Sequence, residues 1–172
     1  MRSALVAVGL CLAAICVWAT PKVDGKVAPR EYAHTLSVIY DTATVSWAAD
    51  SSGGLYLAVS APTTGWVGIG LGAVVMDGAH IFMGYVKDGQ SVTSEQVGLG
   101  HTHTASPVAW ADASAVSQQA GQTTLELHVP GSRLPVQDGK VSFIVAFAGK
   151  ADTATFHEDN HDGGYIDLAG GG

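Results

Sequence analysis

Short runs of aliphatic, aromatic and β-branched residues, broken by turn signals about every eight to twelve residues, fill most of the chain after residue 35. This spacing is typical of an all-β sandwich or barrel. The run Thr123–Val129 shows the alternation best, since Leu125, Leu127 and Val129 fall on one face of a strand. Glu126, on the other face, is expected to point outward, as are its neighbours Thr124 and His128. The pattern therefore predicts strands with one apolar and one polar face.

Applied along the chain, these signals predict roughly nine or ten strands. Hairpin-length links dominate, so we expect antiparallel pairing in a β-sandwich of immunoglobulin-like type. The most apolar run, Val141–Ala148, is expected to be central, and only Ala111–Ala115 suggests a turn of helix. The predicted strands are Leu36–Tyr40, Thr44–Ala48, Leu55–Ser60, Gly65–Gly72, Ala79–Val86, Ser91–Val97, Thr123–Val129, Val141–Ala148 and Tyr165–Leu168.

Residues 1–19 have the pattern of a secretory signal peptide. Arg2 supplies the positive start, Ala4–Val17 the apolar stretch, and Ala19 the small residue before the cleavage point. A bacterial lipoprotein signal at Cys16 fits less well, because a bulky Ile15 precedes that cysteine. Cleavage removes both cysteines, Cys11 and Cys16, so the mature chain has no thiol or disulfide. We therefore predict a secreted or periplasmic protein with one domain over residues 20–172.

Composition excludes several classes of function. The formal net charge is −7, with 8 Lys+Arg, which argues against binding to nucleic acid or to anionic lipid. No second apolar run of membrane length follows the signal peptide, so the mature chain is not expected to be an integral membrane protein. No nucleophile or acid–base constellation can be named, so the chain is more in keeping with a binding or electron-transfer module than with an enzyme.

The run Gly65–Gly72 departs from the ordinary pattern, because glycine occupies alternate positions at Gly68, Gly70 and Gly72. In a regular strand these three share one face, which carries no side chains of its own. Two interpretations remain open at this stage. The face permits tight packing between sheets, or it forms a flat wall for a planar ligand.

Met76 and the histidines are the candidate metal ligands. Met76 lies beside the turn signal Asp77-Gly78, and a thioether there can bind a soft metal or haem iron. His157 and His161 lie in a polar, glycine-rich stretch before the last predicted strand. Met83 falls within a predicted strand and is expected to be a core residue. From the residues alone, each of these side chains can equally be structural or solvated.

Four segments together resemble the DOMON domain family, whose relatives include the cytochrome domain of cellobiose dehydrogenase. The resemblance begins at VDGKVAPREYAH (Val23–His34), continues through LYLAVSAPTTGWVGIGLG and MDGAHIFMGYVKDG (Leu55–Gly72 and Met76–Gly89), and ends at FHEDNHDGGYIDL (Phe156–Leu168). It covers nearly the whole mature chain. The family usually has Asp where this chain has His80, which is expected to alter a local hydrogen bond.

The resemblance implies a b-type haem bound at one end of the sandwich, with methionine and histidine as axial ligands. It assigns the methionine ligand to Met76 and the histidine ligand to His157, with His161 as the alternative. Two filled axial positions suit electron transfer with a redox partner rather than catalysis. On this interpretation the porphyrin lies against Trp66, Gly68 and Gly70. Ile69 and Leu71 point the other way in a regular strand. They are further contacts of the porphyrin if a bulge turns them toward it or if the opposite face lines the pocket.

Two other functions remain open from the sequence. A non-haem module of the same fold can bind carbohydrate or another extracellular ligand, with Trp47, Trp66 and Trp110 as stacking faces. A copper or zinc site is the third interpretation, with Met76 as a soft ligand for copper and histidine ligands from among His101, His103, His157 and His161.

Overall fold

In the computed structural model, which describes residues 19–149 and 160–169, the chain forms two stacked antiparallel β-sheets. The predicted antiparallel β-sandwich is confirmed. The strands are β1 (His34–Val38), β2 (Ala43–Ala49), β3 (Leu55–Ala61), β4 (Val67–Leu71), β5 (His80–Lys87), β6 (Gln90–Leu99), β7 (Thr102–Ala105), β8 (Ala113–Gln119), β9 (Gln122–Val129), β10 (Val136–Gln137), β11 (Lys140–Phe147) and β12 (His161–Asp167). Within the described ranges, no helix has the length and hydropathy needed to span a bilayer.

The smaller sheet has the order β1-β2-β3-β9-β8. The larger sheet has the order β10-β11-β4-β5-β6-β7, and β12 pairs with β11. Strand β11 begins and ends one residue before the predicted run Val141–Ala148, and it pairs with three other strands. This apolar strand is therefore interior, as expected, and β12 forms the edge beside it.

The core lies between the sheets and follows the predicted alternation. Leu125, Leu127 and Val129 on β9 are fully buried against the larger sheet. Ile69 and Leu71 on β4 enter the same core from the other side. Burial of these side chains removes apolar surface from water at about 25 cal/mol per Å², which is the main stabilising contribution in such a fold.

The sequence pattern missed the strands β7, β8 and β10. The expectation of a helical turn at Ala111–Ala115 was wrong, since β8 begins at Ala113 and pairs with β9 along its whole length. Polar residues Ser114, Ser117 and Gln118 hide the strand from a pattern search, because this edge strand is only partly buried. Strand β1 also ends earlier than predicted, since Ile39 and Tyr40 adopt positive φ angles in the turn to β2.

The outward face of β9 is not exposed to solvent. Glu126 has no exposed surface, although the alternation predicted it outside. The N-terminal segment covers it, and Glu126 Oε2 accepts hydrogen bonds from the backbone N–H groups of Asp24, Gly25 and Lys26 at 2.9, 2.7 and 3.0 Å. Tyr32 donates its hydroxyl to Oε1 at 2.8 Å. One carboxylate thus fastens the N-terminal segment to the smaller sheet.

Candidate functional site

The outer surface of the larger sheet, turned away from the core, carries a second apolar cluster, which we call the glycine face. Its floor is the row in which Ala146 of β11, Gly68 of β4 and Met83 of β5 lie opposite one another. Residues directly opposite in an antiparallel ladder share a face. The glycine face comprises Trp66, Gly68, Gly70, Ala79, Ile81, Met83, Ile144, Ala146 and Ala148.

The glycines of this face admit neighbouring side chains. A Cβ on Gly70 would lie 2.8 Å from Cγ1 of Ile144, and one on Gly68 would lie 3.5 Å from both Trp66 and Met83. The glycines lie on an outer surface, so they do not serve packing between the two sheets. The surface is also not bare. The side chains of Trp66, Met83 and Ile144 lie close to the glycines and cover them with apolar groups. Met83 therefore belongs to this face and not to the inter-sheet core, which corrects the sequence expectation.

The β4–β5 loop, residues 72–79, folds over the same face and carries Met76. The Met76 backbone lies so close to Gly98 of β6 that a Cβ on Gly98 would overlap the Met76 carbonyl oxygen. Hydrogen bonds from Gly78 N to Gly98 O at 3.1 Å and from Gly98 N to Ala79 O at 2.9 Å fix this approach. The half-buried Met76 side chain packs against the glycine face. Gly98 went unnoticed in the sequence, although an isolated glycine within a strand pattern often marks such a close approach.

His161 is the first residue of β12 and pairs with Ala146 in the ladder. Because Ala146 belongs to the glycine face, His161 lies on the same side of the sheet, at its edge. The next residue but one, Gly163, lets the loop approach, since a Cβ there would be 3.3 Å from the Val74 carbonyl oxygen. His157, the other predicted histidine ligand, lies outside the described residues.

Ile69 and Leu71 do not lie on the glycine face. Both side chains have no exposed surface and pack in the inter-sheet core, as the parity of a regular strand requires. No bulge re-aims them, since β4 keeps an unbroken register with β5 and β11. These two residues are therefore not among the proposed ligand contacts.

The three tryptophans considered for carbohydrate stacking do not form a binding platform. Trp47 and Trp66 are only 2 % and 5 % exposed, so neither presents an open ring face. Trp110 stacks on His80 with ring centroids 4.1 Å apart and planes 9° apart. The expectation that Trp47 and Trp66 offer stacking faces was wrong, because both rings are covered by the protein itself.

His80, where the family usually has Asp, forms a hydrogen bond with Glu95 at 2.6 Å through its Nε2 atom. The side chain is 4 % exposed and lies on the core side of β5. In residues 19–149 and 160–169, no group of three or more His, Cys, Asp or Glu side chains could hold a metal ion. The copper or zinc interpretation therefore has no ready-made ligand cluster in these ranges.

The glycine face carries the kinds of groups that a haem-binding surface needs. A haem that transfers electrons needs an apolar surface for its plane and soft or imidazole donors for its iron. Met76 and His161 bring a thioether and an imidazole to one apolar face, near opposite margins of the sheet.

Replacing Gly98 by alanine tests how the Met76 loop is held. The added Cβ meets backbone, which cannot move aside as a flexible side chain can, so we expect a loss of about 1–3 kcal/mol in the free energy of unfolding. Gly149→Ala is the matched control, because no atom lies within 4 Å of a Cβ at that position. Urea denaturation of both variants measures the difference. Equal stability of the two would contradict the close approach of Met76 and Gly98.

Two solved structures share this fold. The cytochrome domain of Myriococcum thermophilum cellobiose dehydrogenase matches with a TM-score of 0.58 and 15 % identity, covering 78 % of this chain and 81 % of that one. The cytochrome b domain of pyranose dehydrogenase from Coprinopsis cinerea matches with a TM-score of 0.57 and 13 % identity, covering 78 % and 80 %. No family model and no curated protein sequence matches the chain. The fold expected from the DOMON resemblance is thus confirmed.

Proposed function

We propose that this chain is a secreted b-type haem-binding module that transfers electrons to or from a redox partner. One observation carries the proposal: Met76 and His161 lie on the same apolar face, across a floor that contains Gly68 and Gly70. The likeness of the fold to two cytochrome domains supports it. The predicted signal peptide supports the extracellular or periplasmic location.

Within this proposal, Met76 supplies one axial ligand, and His157 or His161 supplies the other. Trp66, Met83 and Ile144 form the apolar surface that excludes water from the bound group. A six-coordinate haem supplies one-electron chemistry with no open position for oxygen. The chain itself orients the two donors and keeps the site apolar. The apolar surroundings and the thioether together raise the reduction potential of the bound haem.

The proposal is tested by loading the purified full-length mature chain with haemin and recording its absorption spectrum before and after reduction. We expect one haem per chain, a low-spin spectrum when oxidised and a sharpened α-band when reduced. Of the variants His157→Ala and His161→Ala, one should lose the low-spin spectrum and the other should keep it. A protein that takes up no haemin would overturn the proposal.

A further inference from the structure

The connector between β7 and β8, residues 106–112, lies on the side of the sandwich away from the glycine face. It borders a cavity of about 280 Å³ between β6 of the larger sheet and β8 of the smaller sheet. Ser106 and Ala109 of the connector line this cavity, together with Glu95 of β6 and Ser114 of β8. The connector is therefore a strap over a space between the sheets.

Glu95 anchors the middle of this strap. Its Oε2 atom accepts the backbone N–H of Trp110 at 2.7 Å, and its Oε1 atom accepts that of Ala111 at 3.2 Å. The same carboxylate holds His80, on whose ring Trp110 stacks. This anchor combines several contacts, two of them to backbone, and none of them involves Asp112 or His128.

The far end of the strap is held by a different device. His128 of β9 lies between two carboxylates, with Nδ1 at 2.6 Å from Asp112 and Nε2 at 2.8 Å from Asp50. Tyr56 of β3 packs on its ring, with centroids 4.2 Å apart. Asp50, Asp112 and Tyr56 are the titratable groups of the described residues that contact the imidazole. Because a carboxylate only accepts, hydrogen bonds from both ring nitrogens to Asp112 and Asp50 require both nitrogens to carry protons.

We propose that Asp50, His128 and Asp112 form a pH-operated latch on the strap, closed when the imidazole carries two protons and opened at Asp112 when it carries one. A neutral imidazole donates one hydrogen bond and turns a lone pair toward the other carboxylate. Two carboxylates therefore cannot both be satisfied after the proton leaves.

The other contacts of the two carboxylates decide which one loses its hydrogen bond to His128. Asp50 also accepts hydrogen bonds from Ser52 N, Ser52 Oγ and Gly54 N at 2.6, 2.7 and 2.9 Å. It is therefore built into the β2–β3 turn and stays in place. The Asp112 carboxylate is 57 % exposed, and His128 is its only hydrogen-bond partner in the part of the chain that the structure describes. Asp112 is thus the side chain that is released.

The pKa of His128 agrees with this arrangement. Burial lowers it, but hydrogen bonds and charge from Asp112 and Asp50 more than offset burial, so the pKa lies above its ordinary value of 6.5. A raised pKa in the folded state means that the stabilisation is complete below about pH 6.5 and is lost as pH rises through the folded value. The latch is therefore closed in mildly acidic solution and opens as the pH rises past the raised pKa of His128.

Amide hydrogen exchange of the full mature chain at about pH 5 and about pH 9 tests the latch, with rates corrected for intrinsic exchange. The reporter is the N–H group of Asp112, which donates to the backbone oxygen of His128 at 3.2 Å. The N–H group of Ala111, held by Glu95, is the internal reference. We expect the protection of the Asp112 N–H to fall about tenfold at the higher pH, the worth of one charge-assisted hydrogen bond, and that of Ala111 to stay unchanged. Asp112→Asn should abolish this change, because its amide group can accept from or donate to Nδ1 in either protonation state.

Asp88→Asn removes the same charge in the distant β5–β6 turn and should behave as the wild type. His128→Phe keeps a ring beside Tyr56 but has no latch, so the N–H group of Asp112 should exchange fast at both pH values. Wild-type protection that does not change with pH, or an equal change in Asp112→Asn, would overturn the proposal.

Discussion

Replacing Met76 by alanine is expected to convert the haem-loaded protein from low-spin to high-spin iron. If Met76 supplies one axial ligand, its removal opens a coordination position that alanine cannot fill. Because a thioether raises the reduction potential, we also expect the potential to fall by on the order of 0.1–0.3 V. The fold should survive the change, since Met76 is half-buried on a loop. Absorption spectra and a redox titration of the loaded variant measure both effects.

Met83 provides the control for this experiment, because it places a second thioether on the glycine face. It is 3 % exposed, so Met83→Ala should cost about 2–5 kcal/mol of unfolding free energy through the cavity it leaves. Its loaded protein should nevertheless keep the low-spin spectrum. If Met83→Ala loses that spectrum while Met76→Ala retains it, the ligand assignment is wrong.

Glu126→Ala should destabilise the protein by about 3–5 kcal/mol, the largest stability effect we expect from one exchange of a charged residue. Three backbone N–H groups and the Tyr32 hydroxyl all donate to this buried carboxylate. Alanine leaves these donors buried without an acceptor. Glu126→Gln should cost less, about 1–2 kcal/mol, because the amide oxygen can still accept from backbone while its NH₂ group faces the Tyr32 oxygen.

Glu31 is the matched control for Glu126. It too accepts backbone hydrogen bonds, from Lys22 at 2.8 Å and Ala28 at 2.6 Å, but both are exposed to solvent. Water can replace it, so Glu31→Ala should cost less than about 1 kcal/mol. Urea denaturation followed by tryptophan fluorescence compares the variants. Similar losses of unfolding free energy for Glu31→Ala and Glu126→Ala would show that burial of the carboxylate does not contribute to stability.

The sequence predicted which residues face the core, because strand alternation is a local property. Leu125, Leu127 and Val129 show this, and so does the opposite placement of Gly68 and Ile69 on β4. It did not predict what covers the other face of a strand. Glu126 follows the predicted alternation and is nevertheless buried, because a segment about a hundred residues earlier folds over it.

The candidate site also has some features that local patterns predict and others that depend on contacts between distant segments. The glycine alternation singled out Gly68 and Gly70, and strand parity separated them from Ile69 and Leu71. The DOMON resemblance implied the role of Met76. The close approach of the Met76 loop to Gly98 depends on pairing between distant strands, which no local pattern contains. The inclusion of Met83 in the same face has the same origin, since it depends on the register of β5 against β4.

X-ray absorption at the iron edge of the haem-loaded protein tests the central claim most directly. With both cysteines in the predicted signal peptide, any sulfur bound to iron in the mature chain must come from a methionine. The account predicts one sulfur neighbour beside the nitrogen ligands, lost in Met76→Ala and kept in Met83→Ala. An iron shell of nitrogen and oxygen alone in the wild-type protein would contradict it.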